Sequence, residues 1–204
     1  MDTMKAAARD LVDILYGEEE ELENFWVGLV PYSATVNVGP THTAWLSAGT
    51  NLNEVGDTGI LWADIGTSWK GCVEARWEFG NDQTDALPSV ERFEPYIWVD
   101  SDTDNDWVLS SGGFDIDESN GAQNNGTGPN LGCGPAITPL TAERGVIEDG
   151  IDEMLPWHRG GTMGNLGLVW GWQSISPNWR GQWDGIAESY LPLDYADSDP
   201  SILS

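Results

Sequence analysis

A chain of 204 residues is long enough for one domain with a sizeable core, or for one domain carrying a long insertion. Its 40% hydrophobic content and 12 tryptophans exclude wholesale disorder, because such rings must be buried or must bind something. With 34 acidic against 8 basic residues, the net charge of −26 repels nucleic acid and anionic lipid and leaves cations, cationic surfaces and polysaccharides as partners. Lysine is confined to Lys5 and Lys70. The same acidity would also serve simple solvation in salty surroundings.

Residues 3–16, TMKAAARDLVDILY, place Met4, Ala7, Ala8, Leu11, Val12 and Leu15 at three- and four-residue spacing. This predicts a helix with one core face, capped by Asp2 or Thr3 and closed by Gly17. The acidic stretch EEEELE leads into NFWVGLVPYS, whose apolar run closed by Pro31 reads as a buried strand. TVNVG alternates with period two and reads as a second strand at a sheet edge. The segment 1–39 is thus the first part of an α/β unit.

From 40 to 137 the texture changes to Gly, Asn, Asp, Ser and Thr with scattered tryptophans, and reads as an insertion. Its strand-like pieces are GCVEARWEF (71–79) and PYIWV (95–99); the stretch 110–132 has no hydrophobic period and reads as a loop. Regular structure resumes in 138–185. There TPLTAERGVIEDGIDEML offers Thr141 as N-cap, Glu143 in the first turn, and a stripe of Val146, Ile147, Ile151, Met154 and Leu155. After a Gly-Gly-Thr hinge, a third helix is predicted from about Gly164 to Ile175, followed by a turn-rich acidic tail, 186–204. Two strands cannot cover three helices, so an α/β sheet built from these elements is short of strands. No secretion signal or transmembrane run stands in the sequence, and its start, MDTMKAAARDL, is charged and amphipathic.

Several positions could carry chemistry. Cys72 and Cys133 allow one pairing, which would close a long loop worth roughly 4 kcal/mol, or they are two buried thiols. Neither has a neighbour at CxxC or CxxH spacing. The run DSDTDNDW places Asp100, Asp102, Asp104 and Asp106 at alternating positions. An EF-hand fails there because Asn105 and Ser111 occupy the glycine and glutamate positions, which leaves a looser Ca2+ cage or a solvated turn. Trp26 and Trp170 sit inside regular elements and read as core, whereas Trp45, Trp62, Trp69 and Trp107 could form either a sugar-stacking platform or the insertion's own small core. His42 and His158 are the only histidines, and no GxSxG, HExxH or P-loop accompanies them, so the chain reads as a non-enzyme. Thr162, on the glycine hinge, is either a helix cap or an oxygen ligand.

The segments AAARDLVDILYG, VGLVPYSATVNVG, GCVEAR, ITPLT, GGTMGNLGLVWGWQSISPNWRGQW and LPLDY together resemble the von Willebrand factor A domain of Tad (Flp) pilus assembly proteins of the TadG type. The resemblance covers most of the chain outside 40–70 and 100–130. It implies a doubly wound, Rossmann-like α/β fold with a mostly parallel sheet, here partial and interrupted by the loop-rich insertion. It also implies a metal-ion-dependent adhesion site at the carboxyl ends of the strands. In that pattern Thr162 would be one ligand to Mg2+ or Ca2+. The family's Asp-x-Ser-x-Ser strand would lie before Met1, and its Thr-Asp-Gly strand would follow LPLDY. The chain is therefore expected to be an internal piece of a longer product, whose membrane anchor belongs to the full-length member. The implied function is a non-enzymatic adhesion or interaction module at the periplasm or cell surface, with pilus-system proteins or an external surface as partners. A Cys72–Cys133 disulfide would fit such an oxidising compartment. The competing expectation is a Ca2+-assisted carbohydrate-binding domain using the Trp-rich insertion.

Overall fold

A computed structural model describes residues 1–47, 50–56, 59–77, 82–98, 128–156, 161–186 and 188–195. Helix α1 (Asp2–Tyr16) ends where Gly17 adopts a φ of 58° and its N–H bonds to the Asp13 carbonyl at 2.9 Å. Only Val12 and Tyr16 of this helix are buried, whereas Met4, Leu11 and Leu15 of the anticipated core face are exposed. The physical reason is that, among the described residues, the backbone of α1 comes close to no other element than helix α2 (Arg144–Glu153). Scarce cations hold the two helices together. Lys5 donates to the Asp152 carbonyl at 2.7 Å, and Arg9 pairs with the Asp152 carboxylate. From the other side Arg144 reaches Asp13, Glu148 and the Gly17 carbonyl.

Among the described residues four short strands form two antiparallel ladders, which with three α-helices make a mixed α/β structure. Strand β1 (Val27–Leu29) pairs with β4 (Thr138–Thr141), with Val27 opposite Thr141 and Leu29 opposite Thr138 across an irregularity. Strand β2 (Val36–Asn37) pairs with β3 (Cys72–Val73). The mostly parallel sheet expected from the sequence is not what these ladders form, and the turn after β1 explains why. Tyr32 bridges Val36 and the Ser33 N–H reaches the Thr35 carbonyl at 3.1 Å, so β2 doubles back on β1. Ala136 then runs parallel to Asn37, and the strand it leads into, β4, necessarily meets β1 head to tail.

Other sequence readings shift by a few residues. NFWVGLVPYS is strand only at Val27–Leu29 and is half-buried there. Within 71–79 the named strand is Cys72–Val73, and Pro95 and Tyr96 run beside it through backbone bonds rather than as a strand of their own. Thr141 does not cap α2. It belongs to β4, and its hydroxyl accepts the N–H of Glu143, the residue at the N-cap. The helix stops at Glu153, since Met154 is extended ahead of Pro156. Helix α3 spans Gly164–Ile175.

Two hydrophobic clusters occupy the interior. The smaller joins Val12 and Tyr16 to Ile147, Ile151 and Met154, with Val27 and Leu29 of β1 beneath them. The larger draws Val36 and Val38 from the first segment, Trp45, Trp62, Trp69 and Phe93 from the insertion, and Leu166, Trp170, Trp179 and Trp183 from α3 and beyond. Trp170 stacks on Phe93 at 5.0 Å between centroids, and Trp179 stacks on Trp183 at 5.6 Å. Arg76, itself buried, lies over the Phe93 ring at 4.3 Å and donates to the carbonyls of Ala86 and Glu91. The insertion and the helical segment therefore share one core, and the Cys72–Cys133 disulfide ties β3 to the segment entering β4.

Candidate functional site

At the carboxyl end of β1 the surface opens into a cleft of about 520 Å³. Its walls come from the start of α1, the β1 end and the turn after it, the residues following α2, and Thr162. Met1, Met4, Leu29, Val30, Met154 and Pro156 make the lining mainly apolar, and among the described residues no charged side chain contributes to it.

The position of Thr162 follows from local rules. Gly161 takes a φ of 74°, a left-handed conformation that glycine adopts without strain, and this turns the chain into α3. The next N–H, of Met163, bonds to the Ser33 carbonyl at 2.9 Å and pins the helix start to the turn after β1. One turn into the helix, Gly167 abuts the Tyr32 ring so closely that a methyl group there would sit 2.4 Å from ring carbons. These two contacts bring the start of α3 to the rim of β1.

Thr162 is exposed and lines the cleft, and it does not cap α3. The N-cap position is Met163, with no side-chain cap bond, and the Thr162 hydroxyl has no hydrogen-bond partner among the described residues. The neighbouring polar groups are otherwise committed. Ser33 donates to the Gly132 carbonyl at 3.4 Å, Thr35 to the Val73 carbonyl at 2.9 Å, and Asn37 to the Gly134 carbonyl at 2.8 Å.

That donor set does not by itself fit a hard divalent cation. Mg2+ and Ca2+ sites are built around carboxylates, and among the described residues the cleft supplies hydroxyl and amide oxygens only. No group of three or more His, Cys, Asp or Glu side chains is placed to hold a metal among the described residues. Asp100, Asp102, Asp104, Asp106, Trp107 and His158 lie outside the described residues. No helix among the described residues is long and apolar enough to cross a membrane.

Of the insertion's described tryptophans, Trp77 is exposed, whereas the three singled out in the sequence, Trp45, Trp62 and Trp69, offer no stacking platform. Trp45, Trp62 and Trp69 are buried, and the Trp45 ring is enclosed by Trp170, Trp179 and Trp183. His42 rests on Trp45 at 4.1 Å, with its Nε2 3.7 Å from the Asp184 carboxylate, while the Thr41 hydroxyl lies 3.5 Å from its Nδ1 and donates to Asp184 at 3.1 Å. Sequence reasoning missed the apolar half of the cleft. Met4 reads as part of a core-facing helix and Met1 stands outside the predicted helix, and nothing local marks them as the wall of an open groove.

Compared with protein-family models, curated proteins and solved structures, the chain matches none.

Proposed function

We propose that this chain is a non-enzymatic interaction and adhesion module of a Tad (Flp) pilus assembly protein of the TadG type, built on a von Willebrand factor A-like scaffold. It acts in the periplasm or at the cell surface on pilins, other pilus-system proteins or an external surface. One observation carries the reading: Thr162, exposed beside Gly161 near the carboxyl end of β1, lines an open cleft, and its hydroxyl has no hydrogen-bond partner among the described residues. The Cys72–Cys133 bond suits an oxidising compartment. In this reading Thr162 would offer one oxygen to Mg2+ or Ca2+, and the carboxylates such an ion needs are not among the described residues of the cleft.

The test is surface plasmon resonance of the immobilised chain against purified Flp-type pilin in Mg2+, in Ca2+ and in EDTA. Binding that weakens about tenfold in Thr162→Ala supports the reading. Absence of binding in all three buffers, or binding that ignores Thr162→Ala, overturns it.

A further inference from the structure

The pair of helices α1 and α2 is wider than the ladder beneath it. Packed helices lie about 8–10 Å apart and paired strands about 4.8 Å apart, so two helices side by side cover about four strands. Helix α2 lies close against both β4 and β1, whereas the backbone of α1 comes close only to α2 among the described residues, its side chains meeting β1 through the smaller cluster and the cleft. Helix α1 therefore overhangs the edge of β1 that faces away from β4, and that edge pairs with no further strand among the described residues.

The underside of this overhang is apolar. Met1, Met4, Ala8, Leu11 and Leu15 succeed one another at steps of three and four, which places them along one helical face. Met1, Met4, Leu11 and Leu15 are 41%, 51%, 55% and 40% exposed, a costly arrangement for a face with no partner. Met1, Met4 and Ala8 face Leu29 and Val30 across the cleft.

We infer that this seat takes an extended, cationic segment of a partner protein, added to β1 as a further strand beneath α1. An open strand edge selects extended backbone, and an apolar floor and roof select alternate apolar side chains. Charge selects the rest. Asp2, Asp10, the run Glu18–Glu21 and Glu153 are exposed on the elements around the seat, while Lys5, Arg9 and Arg144 are already turned onto Asp152, Asp13 and backbone carbonyls. Lysine or arginine at the partner's outward positions meets that acidity, whereas a second copy would bring another −26 charges to the same face. The inference deepens the interaction reading and rests on it only for the existence of a protein partner; it makes no use of Thr162.

The probe is a short fluorescent peptide of alternating lysine and valine, read by anisotropy, with a copy N-methylated at every second amide as control. The inference requires three results. The parent peptide binds at least about tenfold more tightly than the methylated copy. Its binding slows amide exchange across residues 27–30. Ala8→Glu, which fills the seat, and Met4→Lys, which repels the peptide from an exposed position, each weaken binding by a similar factor, with near-ultraviolet circular dichroism confirming that the tryptophan core is intact.

Equal binding of both peptides, or unchanged exchange across 27–30, overturns the inference. So does a dimer in sedimentation equilibrium that Met4→Lys dissolves, because a second copy is then the occupant. Pilin binding that survives Ala8→Glu and Met4→Lys overturns the seat and leaves the proposed function standing. Peptide binding without Thr162-dependent pilin binding does the reverse.

Discussion

The Ser176 hydroxyl donates a 2.5 Å hydrogen bond to the Asp85 carboxylate, across 91 residues of sequence. The same carboxylate accepts from the Asn178 amide at 2.8 Å and the Tyr195 hydroxyl at 3.3 Å, while the Trp179 indole N–H bonds to the Asp85 carbonyl at 2.9 Å. Burial opposes the charge on Asp85, but hydrogen bonds from Ser176, Asn178 and Tyr195, with one from its own backbone, outweigh it and hold the carboxyl below its ordinary range. This knot fastens the insertion to the segment after α3, at the edge of the shared tryptophan core.

Asp85→Asn is therefore expected to lower stability by about 1–2 kcal/mol in urea unfolding at neutral pH, the scale of hydrogen bonds to a half-exposed charged group. A depressed folded-state value means the contribution is fully present above the unfolded carboxyl pKa of about 3.9 and is lost as pH falls through the folded value. The curves of parent and variant should converge below that range. A gap that persists in strong acid would show that Asp85 acts through packing rather than charge.

The Cys72–Cys133 bond spans 61 residues, a loop whose closure restricts the unfolded chain by about 4 kcal/mol on the chain-entropy estimate. Replacing both cysteines by alanine should lower the denaturant midpoint by a corresponding amount. A dithiothreitol-treated parent should move the same way. If neither shifts, the bond is not present in solution.

Gly167→Ala places a methyl group where the Tyr32 ring lies and should cost about 1–3 kcal/mol, the range for overpacking a tight contact. Adding Tyr32→Ala should recover most of that loss, because Tyr32 is exposed and its ring is the obstacle. A double-mutant cycle with no coupling would place the strain elsewhere.

Thr162→Ala should change stability by less than about 0.5 kcal/mol, since the hydroxyl caps no helix and bonds to no described residue. A helix-capping role would instead cost about 1 kcal/mol. Thermal unfolding of the two proteins side by side separates the possibilities.

Much of the local structure was legible in the residues. The three-and-four spacing of apolar side chains marks the first two helices, and Gly164–Ile175 and the stop at Gly17 fall where the glycine hinge and Gly17 place them. The tryptophan content left two outcomes open, burial or ligand stacking, and most of the described rings are buried in one core. The partners of these elements were not legible. Met4, Leu11 and Leu15 share a face with the pattern of a core stripe, yet they are exposed because, among the described residues, the only element whose backbone comes close to α1 is α2. Thr141 has the chemistry of a cap but spends its hydroxyl inside a turn leaving β4.

Periodicity determines which side chains share a face, because that depends on backbone geometry within a few residues. What the face meets depends on contacts between residues far apart in the chain. The direction of β4 was decided by a five-residue turn more than a hundred residues earlier, through the pairing of Ala136 with Asn37. The burial of Trp45, Trp62 and Trp69 was decided by α3 and the segment after it, which close over them and draw the insertion into a single core.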